Sequence, residues 1–109
     1  MIVEDEAILR RIVKDAVEEA GHCVTAAEDG EEALRLFRAE RPHLVIADIM
    51  LPKLDGFEMV RRMHERGANT QFIFLSALDR TNIDKFRRDL YGMVREIHCG
   101  RYPFNNFLY

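Results

Sequence analysis

Four polar residues in this chain stand directly after short apolar runs. Glu4 and Asp5 follow Ile2-Val3, Asp48 follows Leu44-Val45-Ile46-Ala47, and Ser76 follows Phe72-Ile73-Phe74-Leu75. Such runs read as strands, and in an open parallel α/β sheet ligands bind beyond the carboxyl ends of the strands. Strands one and three are neighbours in the common five-stranded order, so Asp5 and Asp48 can converge. Carboxylates that close repel one another unless a cation sits between them, and hard oxygen donors suit Mg²⁺. The ion keeps several waters and can receive a phosphate oxygen. A metal-held carboxylate facing solvent is in turn a nucleophile for a phosphoryl group. Plainer roles exist for each residue: an acid at a strand end also serves as a cap or turn residue, Glu4 and Asp5 suit the first turn of a helix, and Ser76 suits a cap.

These residues need elements to position them, and the pattern supplies them by alternating apolar runs with amphipathic segments. Ile8, Leu9, Ile12, Val13, Ala16, Val17 and Ala20 recur at helical spacing, with Arg10, Arg11, Lys14, Glu18 and Glu19 on the other side and Gly21 as terminator. Cys23 to Ala27 forms a second strand, and Asp29-Gly30 turns into a helix whose buried face holds Ala33, Leu34, Leu36 and Phe37. Pro42 closes that helix. Leu44 to Ala47 lacks alternation, as expected of a central strand buried on both faces. Leu51 to Gly56 is turn chemistry, Asp55-Gly56 included, and Phe57, Val60 and Met63 open a third helix. Gln71 to Leu75 is a fourth strand, and a fourth helix follows from about Arg80 to Tyr91. Met93 to His98 reads as a short strand, and Arg101 to Tyr109 has no helical period.

Composition narrows the classes. The 109 residues, 48% hydrophobic and 32% charged, suit one soluble globular domain spanning residues 1–109. No apolar run approaches the ~20 residues of a membrane span, and Met1 to Glu6 lack the basic start of a secretory signal. Cys23 and Cys99 lack CxxC spacing, which fits a reducing, cytoplasmic setting. His22, His43, His64 and His98 show no metal spacing. The net charge of −3 hides an asymmetry, because residues 1–60 carry 14 acids against 7 bases. Such a front half repels phosphate backbones, so no direct nucleic-acid contact is expected. The basic run Lys85, Arg87, Arg88 and the loop residue Lys53 read as solvated.

The blocks Ile2-Val3-Glu4-Asp5-Glu6, Leu44 through Asp48 to Gly56, and Phe74-Leu75-Ser76-Ala77 resemble the receiver domain of bacterial two-component response regulators. The resemblance covers roughly residues 2–92. It implies a flavodoxin-like α/β fold, a doubly wound parallel five-stranded sheet of order 2-1-3-4-5. It also implies that Asp48 accepts a phosphoryl group from a sensor histidine kinase. Asp5 and Asp48 would bind Mg²⁺ directly, Glu4 partly through water, and the backbone carbonyl of Met50 would complete the protein ligands. Ser76 would be the hydroxyl that turns toward the new phosphate. A downstream effector or a second copy of the chain is the implied partner, and a regulatory rather than enzymatic role follows.

Residues 93–109 depart from the family pattern. A lysine followed by proline and an aromatic normally ends strand five, and here the nearest string is Arg101-Tyr102-Pro103-Phe104, while a count from Lys85 puts the position near Cys99. Arginine's planar fork differs in geometry from a compact ammonium. The expected fifth helix also has no match, which would leave apolar surface on helix one and strand one for the aromatic tail to cover in part. One reading of the abrupt change at Gly92 is a shifted reading frame. Two further functions compete with the phosphorylation switch. One is a degenerate receiver that binds partners without phosphoryl chemistry. The other is a small Mg²⁺-dependent hydrolase, disfavoured because Met50 stands where a second acid is wanted.

Overall fold

The computed structural model describes residues 1–48, 51–66, 70–75, 78, 79 and 81–98. Among them the elements run β1 (Ile2–Val3), α1 (Ala7–Glu19), β2 (Ala26–Ala27), α2 (Gly30–Glu40), β3 (Leu44–Ala47), α3 (Gly56–Arg66), β4 (Gln71–Phe74) and α4 (Ile83–His98). The strands form one parallel sheet of order β2-β1-β3-β4. The expected order 2-1-3-4 is thus met, and the sheet has four strands among the described residues.

Side chains on a strand alternate between faces, and that alternation builds two cores. Val3, Ala27, Val45, Ala47, Phe72 and Phe74 point to the side covered by α2 and α3. Ile2, Ile46 and Ile73 point to the other side, where α1 contributes Leu9, Ile12, Val13, Ala16 and Val17. Ile8, placed by the sequence pattern on the apolar stripe of α1, is instead exposed, as is Phe57, although the Phe57 ring lies 5.5 Å from that of Phe74.

Strand lengths differ from expectation where a partner runs out. β2 pairs only at Ala26 and Ala27 because β1 offers only Ile2 and Val3 opposite them. A further bond from the Ile2 N–H to the Thr25 carbonyl, at 2.8 Å, leaves Cys23 exposed and outside the ladder. β4 ends at Phe74 because its last partner is Ala47, the end of β3.

Residues 93–98 are not a strand: α4 runs unbroken through Gly92 to His98. Its buried stripe is Phe86, Leu90 and Val94, a four-residue repeat that continues across the glycine. A Cβ at Gly92 would meet nothing within 4 Å, so this position lies off the packed face. Arg95, unsuitable for a central strand, is exposed on the helix. The stripe packs beside α1, in the same core as Ile2, Ile46 and Ile73. The apolar face of α1 and β1 is therefore covered by α4, not left bare. The tail from Cys99 to Tyr109, including Arg101, lies outside the described residues.

Candidate functional site

β1 and β3 lie side by side in register, Val3 opposite Ala47, so the residues that follow them meet at one end of the sheet. The Asp48 N–H donates to the Val3 carbonyl at 3.1 Å, and the Glu4 N–H donates to the Ala27 carbonyl at 3.0 Å. Both acids thus leave the sheet from fixed backbone positions. Glu4 is fully buried, Asp48 is nearly so, and Asp5 is exposed. The Glu6 N–H donates to Glu4 Oε2 at 3.1 Å, which orients that carboxylate across the mouth of α1.

Glu4, Asp5 and Asp48 each bring one carboxylate oxygen into a group whose members all lie within 4.8 Å of one another. Oxygens around an octahedral Mg²⁺ at about 2.1 Å stand roughly 3 to 4 Å apart. Three hard donors on two strand ends, one deeply buried and one solvent-facing, therefore fit a small divalent cation that retains water on its open side.

Ser76 and Met50, the two remaining site residues expected from sequence, lie outside the described residues. The supporting loop is described from Leu51. Asp55 serves the turn, as expected, its Oδ1 accepting from the Glu58 N–H at 2.9 Å to cap α3. Lys53, read as solvated, has an exposed side chain but lies 3.5 Å from Asp29 Oδ2. Its φ of 69° and the 2.7 Å bond from the Leu54 N–H to the Pro52 carbonyl make a tight γ-turn, a strained arrangement for a non-glycine residue. The turn abuts α2: a Cβ on Gly30 would come within 2.6 Å of the Leu54 carbonyl oxygen. Asp29 Oδ1 caps α2 by accepting from the Glu32 N–H at 2.8 Å. That bond, with the Lys53 ammonium nearby, holds the Asp29 carboxyl below its ordinary value against the opposing effect of burial.

In the sequence pattern Arg10 falls on the polar side of α1, with no task apparent there. In the structure its Nη1 turns back to donate to the carbonyls of Glu4, at 2.9 Å, and Asp5, at 3.3 Å. No spacing rule announces that contact, since any arginine in the first turns of a helix shows the same periodicity.

The response regulator receiver domain model matches residues 1–93. This chain belongs to the response regulator receiver family, and the family's role is two-component signalling. It is 40% identical over 79 residues to the transcriptional regulatory protein TrcR of Mycobacterium tuberculosis, a match covering 72% of this chain and 31% of the relative. It is 35% identical over 79 residues to the alkaline phosphatase synthesis transcriptional regulatory protein PhoP of Bacillus subtilis, covering 72% and 33%. The matched segment therefore spans about a third of the length of these curated relatives. Among solved structures, it is similar to the REC domain of AraT, a response regulator from Geobacillus stearothermophilus, with a TM-score of 0.72, 25% identity and 91% of each chain covered. The receiver domain of the Francisella response regulator 1452 shares the fold at a TM-score of 0.69 and 22% identity, covering 91% of this chain and 94% of that one. No helix among the described residues is long and apolar enough to cross a membrane.

Proposed function

We propose that residues 1–109 act as one receiver domain that takes a phosphoryl group from a sensor histidine kinase onto Asp48. The observation that carries this reading is the meeting of the Glu4, Asp5 and Asp48 carboxylates within 4.8 Å at adjoining strand ends. Asp5, Asp48 and the Met50 carbonyl would hold Mg²⁺, with Glu4 acting partly through water. When bound, the ion supplies positive charge to the transferring phosphoryl oxygens. An Asp48 carboxylate oxygen attacks phosphorus in line, the phosphorus–nitrogen bond to the donor histidine breaks, and its electron pair leaves with the imidazole. Ser76 would donate its hydroxyl to the new aspartyl phosphate and carry the conformational response. The output partner is an effector module or a second copy of the chain, by analogy with the transcriptional regulators to which the segment is similar.

The chain with Mg²⁺ and a small phosphodonor, followed by intact mass, tests this. One added phosphoryl group is expected, and it should vanish in Asp48→Asn. An unmodified parent, or a modification that persists in Asp48→Asn, overturns the assignment.

A second reading, a partner-binding module without phosphoryl chemistry, is favoured by one observation. The only lysines are Lys14, Lys53 and Lys85, and none occupies the position the family uses to pair with the phosphoryl oxygens. Partner binding that is equal for the parent and Asp48→Asn, with or without phosphodonor, would select it.

A further inference from the structure

We infer that Arg10 is a positioning residue for the cation site, an inference that rests on the Mg²⁺ reading of Glu4, Asp5 and Asp48 given above. One guanidinium nitrogen joins the backbone carbonyls of both neighbouring acids, Glu4 at 2.9 Å and Asp5 at 3.3 Å. Two successive peptide planes are thereby held by one half-buried group on the second turn of α1. Buried Glu4 is already fixed by its N–H bond to Ala27 at the end of β2 and by the Glu6 N–H. Asp5 is exposed, lies between β1 and α1, and has no sheet bond of its own. The peptide that follows it is held at its N–H, by Glu6 to Glu4 Oε2, and at its carbonyl by Arg10, and the second contact completes the restraint on where the Asp5 carboxylate can point. Both Arg10 bonds end on neutral carbonyl oxygens, so neither uses a carboxylate oxygen that a metal needs. Groups that orient ligands from outside the coordination shell commonly change metal affinity about 10- to 100-fold when removed.

The sign of the effect separates positioning from simple electrostatics. A guanidinium beside a cation site repels the cation, so removal of its charge alone would tighten Mg²⁺ binding. Removal of a positioning contact weakens it. Arg11 provides the control, because it precedes Asp15 by one helical turn, pairs with it at 3.6 Å and is largely exposed.

Mg²⁺ binding to the full chain is measured by isothermal titration calorimetry for the parent, Arg10→Met, Arg10→Lys and Arg11→Met, with urea midpoints in metal-free buffer as a check on folding. Arg10→Met is expected to bind Mg²⁺ about tenfold more weakly. Arg10→Lys should recover part of that loss, and Arg11→Met should stay within about twofold of the parent, its charge being solvated. Equal or tighter binding by Arg10→Met, or equal weakening in Arg11→Met, overturns the inference. If Arg10→Met does not fold, Arg10→Lys decides: it should bind more weakly than the parent with an unchanged urea midpoint, and parental affinity overturns the inference. A parent that binds no Mg²⁺ removes the underlying cation site and this inference with it. That failure is seen in the parent alone, whereas failure of the positioning role is seen only in the ratio of variant to parent.

Discussion

The hydroxyl of Tyr91 donates to the carboxylate of Glu19 at 2.8 Å, joining the middle of α4 to the last residue of α1 across 72 positions of sequence. This bond marks the pairing of two helices that sequence patterning had not put together. The acceptor also keeps the phenol protonated, raising its pKa above the ordinary value, with burial adding to the effect. The stabilisation it gives is therefore complete below the unfolded tyrosine pKa of about 10 and is lost as pH rises through the raised folded value. Tyr91→Phe should lower the urea midpoint at pH 8, and the difference from the parent should close in strongly alkaline buffer. A difference that widens with pH would contradict this.

The α1–α4 core makes a stronger demand. Leu90 is fully buried between α4 and the Ile2, Ile46 and Ile73 face of the sheet. Leu90→Ala should cost about 3 kcal/mol in urea unfolding, the middle of the range for a buried leucine. A cost under about 1 kcal/mol, typical of surface sites, would mean that α4 does not pack there.

Gly92 sits inside α4 with open space where a Cβ would go. Glycine in a helix interior is less favourable than alanine by about 1 kcal/mol, mainly through backbone entropy. Gly92→Ala should raise the thermal midpoint by a few degrees. A loss of stability would place a strand or turn at this position instead.

Asp29 joins the cap of α2 to the Lys53 turn. Asp29→Ala should cost about 1 kcal/mol near neutral pH, the usual loss for a side-chain cap. The folded pKa is lowered, so this contribution is present above the unfolded value of about 3.9 and disappears as pH falls through the folded one. Urea titrations of parent and variant should therefore converge in strong acid.

Three carboxylates within 4.8 Å strain the metal-free protein through mutual repulsion. Asp48→Asn should raise the urea midpoint in the presence of chelator. Mg²⁺ should then stabilise the parent by about 2.7 kcal/mol at a hundredfold excess over its dissociation constant, and the variant by much less. Equal gains in both proteins would argue against Asp48 as a ligand.

The acidic end of the site was legible because two apolar runs stop abruptly at charged residues, and a parallel order makes β1 and β3 neighbours. Strand order therefore brings Asp5 and Asp48 together, and the family resemblance adds Glu4. α4 was harder for two separate reasons. Gly92 reads locally as a stop, yet Phe86, Leu90 and Val94 keep one helical face across it, and tertiary burial outweighs the cost of one glycine. Periodicity also reveals a stripe without saying which face of the sheet receives it, so nothing in the pattern assigned α4 to the α1 side. Arg10 and the Lys53–Asp29 pair were invisible for a third reason: each depends on a side chain reaching backbone or a cap that only folding brings near. Ser76 and Met50 remain expectations, since both lie outside the described residues.

The path of α4 spans the domain from one end of the sheet to the other. The helix begins after β4, at the sheet end that carries Asp48, and its 16 residues rise about 24 Å alongside α1. Its last described residue, His98, thus lies at the far end of the domain from the acidic cluster. Anything joined to the chain beyond that point is held away from the acidic cluster by most of the length of α4.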